Sequence, residues 1–400
     1  MSLLNDIHRN ESNTLDRLLV SIDPEVARVL ERALGGRELG FEEGLCLART
    51  SGLELEALVL AADRVRRERV GDVITYVVNR NINFTNVCFV GCRFCAFSRA
   101  PRQSDAYFHS FEEIGRRSIE AWERGAREVC VQGGLPRDLD PYYYRDLLRA
   151  IKRATPQMHI HAFSPMEVVY GVELTGMPLR DYLAMLREAG LGTLPGTAAE
   201  ILDDEVRNKI ERIKLKVSQW LDVIKTAHSL GIRTTSTMMY GHVETEAHWV
   251  HHLMLLRDVQ KETGGFTEFV PLGFVHEFTQ LFQSGDARPG PTVEEHLKVH
   301  ALSRLMLQGW IDNIQVSWVK MSREIAQACL RAGANDYGGT LMDENISRLA
   351  GSTSGEYLSP EEFQSRIREL GRVPAERTTL YEIVKTYDSI TGQARAAESR

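Results

Sequence analysis

The sequence predicts an α/β fold, a (βα)8 TIM-type barrel with a helical extension before it and a helical tail after it. Short apolar or β-branched runs ending in Gly, Pro, Asn or Asp alternate with longer stretches of helical period, and the alternation occurs eight times. Several helical stretches close on a glycine just past the last periodic residue, as at Gly125, Gly190 and Gly231. At 400 residues, with 43% apolar and 26% charged side chains, the chain is long enough for a full barrel.

Residues 1–73 read as an N-terminal helical extension, a pattern that carries into ERVGDVITYVVNRN (68–81). The barrel is expected over 74–345. Its strands are expected at INFTNVC (82–88), EVCVQGG (128–134), HIHAFSP (159–165), GTLPG (192–196), RTTSTMMYG (233–241), FTEFVPL (266–272), NIQVSW (313–318) and DYGGTL (336–341). Helices are expected between them, at FEEIGRRSIEAWERG, YYRDLLRAIKRA, LRDYLAMLREAG, VSQWLDVIKTAHSLG and TVEEHLKVHALSRLML, each with apolar residues three and four apart. Residues 346–400, containing EEFQSRIRELG, are the expected helical tail packed on the barrel.

Composition narrows the function classes. A net charge of -7 leaves no basic footprint for nucleic acid. No apolar run reaches the roughly 20 residues of a membrane helix. The N-terminal stretch MSLLNDIHRNESNTLDRL has no signal-peptide pattern, and six cysteines in this length form no secreted disulfide framework, so a cytoplasmic location is expected.

The sharpest chemical signal is the triplet Cys88, Cys92 and Cys95 in NFTNVCFVGCRFCAF, with CxxxCxxC spacing. Structural zinc calls for four ligands in paired short spacings, whereas Cys46, Cys130 and Cys329 sit singly and far away. A compact thiolate triplet suits one [4Fe-4S] cubane. Four-cysteine ligation is the rule for electron carriers, so a triplet leaves one iron open to another ligand. That is the arrangement by which S-adenosylmethionine chelates a cluster before reductive cleavage.

In a barrel of this kind, chemistry belongs at the C-terminal ends of the strands. The cysteines follow the first expected strand, and Gln132, Gly133 and Gly134 end the second. The glycine pair is either a tight turn or the place where backbone approaches a cofactor. His159 and His161 lie two apart on the third strand and so point the same way, as core histidines or as site residues. Glu200 follows the fourth, and Tyr240-Gly241-His242-Val243-Glu244 ends the fifth. Both acids are candidates for holding ribose hydroxyls or a substrate amine, or are solvated loop carboxylates. Trp318 and Lys320 are weaker candidates after the seventh strand.

Several long segments carry a resemblance: NRNINFTNVCFVGCRFCAFSR, HIHAFSPMEV, GTLPGTAAEILDDEVR, TTSTMMYGHVET, GGFTEFVPLGFVHE, NIQVSWVK, GANDYGGTLMDENIS and RTTLY near Tyr381. From about residue 70 to about 382 the chain resembles the radical S-adenosylmethionine family of 5-amino-6-(D-ribitylamino)uracil–L-tyrosine 4-hydroxyphenyl transferases, the tyrosine-dependent half of the deazaflavin-precursor (FO) synthase. A related family, the menaquinone-pathway cyclases of dehypoxanthine futalosine, shares HAFSP, GHVET and GGFT, while LPGTAAEILDDEVR is similar to the tyrosine family.

The resemblance implies a cluster on Cys88, Cys92 and Cys95, S-adenosylmethionine near Gln132, Gly133, Gly134, Glu200, Tyr240 and Gly241, and an external one-electron reductant. It implies hydrogen abstraction from the amine of L-tyrosine, Cα–Cβ cleavage, and addition of the 4-hydroxybenzyl radical to C5 of the ribitylaminouracil. His161, Glu244 and His276 are then candidates for proton handling. Glu200, Glu268, Gln315, Asn335 and Asp336 are candidates for the polar substrate. A second radical enzyme would take over the product. The glycine pair departs from the family pattern by continuing to Leu135 rather than Glu. Further departures are Phe278-Thr279-Gln280-Leu281-Phe282 after FVHE and GSTSGEY (351–357), so a relative acting on another acceptor stays open, as does, outside enzymes, an iron-sulfur electron carrier.

Overall fold

The computed structural model describes residues 11–211, 215–387 and 394–396. Parts of the expected extension (1–10) and tail (388–393, 397–400) lie outside the described residues.

Four helices, Glu11–Ser21, Pro24–Leu34, Phe41–Ala48 and Gly52–Val70, open the described chain. Asp23 caps the second by accepting from Glu25 N at 2.8 Å, with Pro24 at its first position. The fourth ends at Gly71, whose φ of 70° a side chain would resist. The strands are β1 (Val73–Val77), β2 (Asn79–Ile82), β3 (Glu128–Val131), β4 (His159–Ala162), β5 (Thr193–Leu194), β6 (Arg233–Tyr240), β7 (Phe266–Gly273), β8 (Asp336–Gly339), β9 (Val373–Arg377), β10 (Ile383–Tyr387) and β11 (Ala394–Ala396).

The order β2-β3-β4-β5-β6-β7 is parallel throughout, and β1 pairs in parallel with β8 through Thr75↔Asp336. β1 and β2 follow one another across Val78, so together they take one place in the ring. Isolated parallel bridges, Phe269↔Ile314 and Gln315↔Asp336, carry the pairing from β7 to β8 and complete an eight-position barrel. Around it lie the helices expected from periodicity, at Phe111–Glu123, Tyr143–Ala154, Leu179–Glu188, Val217–Ser229 and Val293–Leu307. The N-terminal helices share one hydrophobic core with them.

Three expectations need correction. The first strand is not 82–88 but the stretch 73–82 read as helical pattern. After Gly71 the β-branched run Val73-Ile74-Thr75 takes the extended form. Residues 83–88 instead form a loop, because Asn83, Thr85 and Asn86 spend their side chains on the backbone carbonyls of Gln132, Tyr107 and Asp105. The seventh strand shrinks to the two bridges before a 3-10 turn at Trp318–Lys320. The tail is not wholly helical: helix Pro360–Glu369 stops before Gly371 (φ 71°), and β9 then lies parallel to β1 through Val73↔Val373 while β10 returns antiparallel. Val373, Ile383, Val384, Thr386 and Tyr387 are β-branched or aromatic residues that favour the extended form.

Candidate active site

The pleat sorts side chains between the barrel lumen and the helices. Glu128, Cys130 and Gln132 of the β3 run line a central cavity of about 420 Å³, as do Thr235, Thr237 and Met239 of β6 and Glu268, Val270 and Leu272 of β7. The alternating Val129 and Val131 are fully buried in the hydrophobic core.

Cys88, Cys92 and Cys95, none of them in a disulfide, stand on the wall of this cavity. Their loop turns at Gly91 (φ 66°) and is pinned from several sides. Cys88 N donates to Arg99 O at 3.1 Å, Phe89 N to Leu135 O at 3.0 Å, and Arg93 N to Ile210 O at 3.1 Å. Leu281 N donates to Arg93 O at 2.8 Å, and the Arg93 guanidinium reaches Ser284 Oγ at 2.7 Å and the carboxylate of Asp286. The segment where the resemblance breaks, 278–282, therefore buttresses the cysteine loop. Among the described residues no three His, Cys, Asp or Glu side chains converge on a single metal ion.

Gly134 sits against this loop so tightly that a Cβ would lie 2.2 Å from the Val87 carbonyl oxygen and 3.0 Å from Cys88 Cβ. A Cβ on Gly133 would fall 2.6 Å from the Phe84 ring, and Gly133 N donates to Glu167 Oε1 at 3.0 Å. The pair thus packs the end of β3 against the cysteines. Gln132 Nε2 donates to Thr197 Oγ1 at 3.1 Å on the same wall, where Glu200 also lies, at a φ of 44°.

His161 lines the cavity from β4, with Nδ1 2.8 Å from Thr193 Oγ1, and burial pushes its pKa down to about 4, so the imidazole is neutral at ordinary pH. Lys320 also faces the cavity; its ammonium donates to Ser347 Oγ at 2.8 Å, and burial lowers its pKa.

At the opposite end from the cysteines, the tail floors the lumen. Arg377 donates to both Asp336 oxygens at 2.5 and 3.0 Å and to Glu268 at 3.4 Å. Tyr381 O–H donates to Glu268, Gln315 Nε2 donates to it at 2.9 Å, and Thr379 Oγ1 donates to Glu128 at 2.6 Å. Burial raises the Glu268 carboxyl to about 7 against the opposing pull of Arg377.

Of the expected site residues, the cavity brings together Cys88, Cys92, Cys95, Gln132, Gly133, Gly134, His161, Glu200, Glu268 and Gln315. Others stand apart from its lining. Glu244 is fully buried in its own turn, accepting from Gly241 N at 2.6 Å, His242 N at 2.8 Å, Trp249 Nε1 at 3.0 Å and Arg288 at 3.0 Å. Tyr240 is turned away from the lumen by β6 parity, its hydroxyl 2.6 Å from His296 Nδ1, and Gly241 makes the turn with φ 96° against Pro291. His276 stacks edge-on to Phe282. Asn335 accepts from Arg304 Nη2 and Ile314 N at 2.8 Å, and Asp336 is taken by Arg377. Glu128, Arg377 and Thr379 were missed. Glu128 was signalled by the polar alternation Glu-Val-Cys-Val-Gln, whereas no local pattern marks a tail residue that enters the lumen.

Residues 82–256 match the model of the Radical SAM superfamily, and residues 263–390 that of the CofH/MqnC C-terminal region. The 5-amino-6-(D-ribitylamino)uracil--L-tyrosine 4-hydroxyphenyl transferase of Methanocaldococcus jannaschii is 49% identical over 352 residues, 87% of this chain and 98% of that protein. The chain belongs to the CofH family of radical SAM enzymes. The FO synthase of Nocardia farcinica is 53% identical over 354 residues, but this CofH-family chain spans only 41% of its length. Among solved structures, methylornithine synthase superimposes with a TM-score of 0.67 at 20% identity, covering 87% of this chain and 97% of that one. The FeFe-hydrogenase maturase HydG of Carboxydothermus hydrogenoformans gives 0.69 at 15%, covering 95% and 86%. Both share the CofH-family barrel. Radical SAM membership implies a [4Fe-4S] cluster and S-adenosylmethionine, and the thiols fit such a group: three of them, reduced, in a pinned loop on one cavity wall. No described helix of this CofH-family chain is long and apolar enough to cross a membrane.

Proposed function

We propose that this chain is a radical SAM transferase that cleaves the Cα–Cβ bond of L-tyrosine. It joins the 4-hydroxybenzyl fragment to C5 of 5-amino-6-(D-ribitylamino)uracil, releasing 2-iminoacetate, in the synthesis of the deazaflavin precursor FO. The observation that carries the reading is one cavity with the three cysteines on its wall and a polar floor of Glu128, Glu268, Gln315, Arg377 and Thr379. The near-complete match to the single-chain transferase supports it.

Cys88, Cys92 and Cys95 would hold the cluster by three thiolates, leaving one iron open to S-adenosylmethionine. When bound, these groups supply one-electron cleavage of the sulfonium, giving methionine and a 5′-deoxyadenosyl radical. The chain's own part is to position and to keep dry. Phe94, Phe97, Leu135 and Phe274 give the cavity apolar walls, which hold water away from a reactive primary radical. The floor offers carboxylates, an amide, a guanidinium and a hydroxyl as hydrogen-bond partners for a polyol and a pyrimidine. Abstraction of hydrogen from nitrogen requires the tyrosine ammonium to lose a proton first, and in this reading the base is His161, a neutral imidazole on the cavity wall. Glu244 and His276 stand outside this cavity and take no part in the reading. The electron comes from an external reductant, the product passes to a second radical enzyme, and six cysteines outside any disulfide suit the reducing cytoplasm.

The test is anaerobic: the reconstituted, reduced protein is given S-adenosylmethionine, L-tyrosine and the ribitylaminouracil. A 4-hydroxybenzyl adduct with 5′-deoxyadenosine is expected by mass spectrometry. Deoxyadenosine without the adduct would redirect the substrate assignment to dehypoxanthine futalosine or another acceptor, and the absence of both products would overturn the reaction class.

A further inference from the structure

His161 is not an isolated base. Thr193 Oγ1 lies 2.8 Å from His161 Nδ1 and 2.9 Å from His159 Nε2, so one hydroxyl joins two imidazoles. The geometry follows from the sheet. His159 and His161 are two apart on β4 and share a face, and His161 is in register with Thr193 of β5. A hydroxyl has one proton, so it donates to one ring and accepts from the other.

The outer ring nitrogens complete the picture. Among the described residues neither His161 Nε2 nor His159 Nδ1 has a hydrogen-bond partner, and neither is a buried unsatisfied atom. His161 lines the cavity; His159 does not line the cavity and is half-buried at the start of its strand.

We propose that His161, Thr193 and His159 form a proton relay that carries the proton of the substrate ammonium out of the lumen. The balance is simple. His161 Nε2 takes the proton, Nδ1–H passes its own to Thr193 Oγ1, the threonine proton moves to His159 Nε2, and His159 Nδ1–H is released to water. One proton enters, one leaves, and no ring need hold a positive charge in the dry interior. Both rings end as Nε2–H, and after product release water takes the His161 Nε2 proton and supplies one at His159 Nδ1, which runs the relay back to the resting tautomers. Burial lowers the pKa of both histidines, which favours such a concerted transfer over a standing imidazolium. The relay rests on the tyrosine reading for its substrate.

The test compares Thr193→Val, which keeps the shape and removes the hydroxyl, with Thr193→Ser, which restores it. The expected result is a fall in kcat of about a hundredfold for Val, within the range of a lost general acid–base step, with L-tyrosine Kd and iron content unchanged, and recovery of most of the loss in Ser. Adduct formation by Thr193→Val within twofold of the parent would overturn the relay. If the parent makes no tyrosine-derived product, the functional reading has failed, and the relay is decided by 15N shifts of the histidine rings. Both resting rings must be the Nδ1–H tautomer; Nε2–H on His161 would overturn it.

Discussion

At the scale of single residues, the glycine after Gly133 shows how little room separates scaffold from chemistry. A methyl on Gly134 would overlap the Val87 carbonyl, which is backbone and cannot swing aside. Gly134→Ala is therefore expected to destabilise the protein by about 1–3 kcal/mol, as overpacking does, and to displace Cys88. Denaturant unfolding and iron content should fall together; an Ala variant with parental stability and full iron would contradict the packing account. Glu244 gives the opposite lesson. A carboxylate at a strand end reads as a ligand for something, yet two backbone N–H groups of its own turn, with Trp249 and Arg288, supply four donors and satisfy it. The covalent spacing of the cysteines was legible because it survives any fold, whereas the fate of an acid depends on which N–H groups surround it. Tyr240 could have been placed from the sequence. Thr235, Thr237 and Met239 occupy the lumen parity of β6, so the tyrosine must face the helices.

At the scale of elements, the barrel order and its helices were legible from alternating periods, and the first strand and the tail were not. The run 73–78 adjoins a 19-residue helix, and its β-branched residues were absorbed into that helical reading. β9 was hidden for a different reason: its place beside β1 is a contact across about three hundred residues, which no local pattern records. The strand fixes Arg377 between Asp336, fully buried, and Glu268. Arg377→Met leaves two interior carboxylates without their cation and is expected to cost about 3–5 kcal/mol. Adding Asp336→Asn to it should recover part of that loss. Chemical denaturation of the three proteins checks this, and an additive double variant would refute the pairing as the source of stability.

At the scale of the whole molecule, buried neutral histidines set the acid response. Burial pushes His161, His228 and His300 down to about 4, and His252 and His296 to about 3. His252 is held neutral by accepting from Leu202 N and donating to the Thr237 carbonyl. The unfolded chain binds protons at these sites near pH 6.5 and the folded chain does not, so their contribution is complete above about 6.5 and is lost as pH falls toward 4. Each site changes stability by about 1.4 kcal/mol per pH unit across that window. The melting temperature should drop steeply between pH 6.5 and 5, and a flat profile there would contradict the assigned protonation states.

The tail that floors the lumen also orders the protein's making. Arg377, Thr379 and Tyr381 follow every barrel strand in the chain, so a ribosome releases the cysteine loop long before them. Without them the Glu268 and Asp336 carboxylates would lose the hydrogen bonds that Arg377 and Tyr381 donate to them.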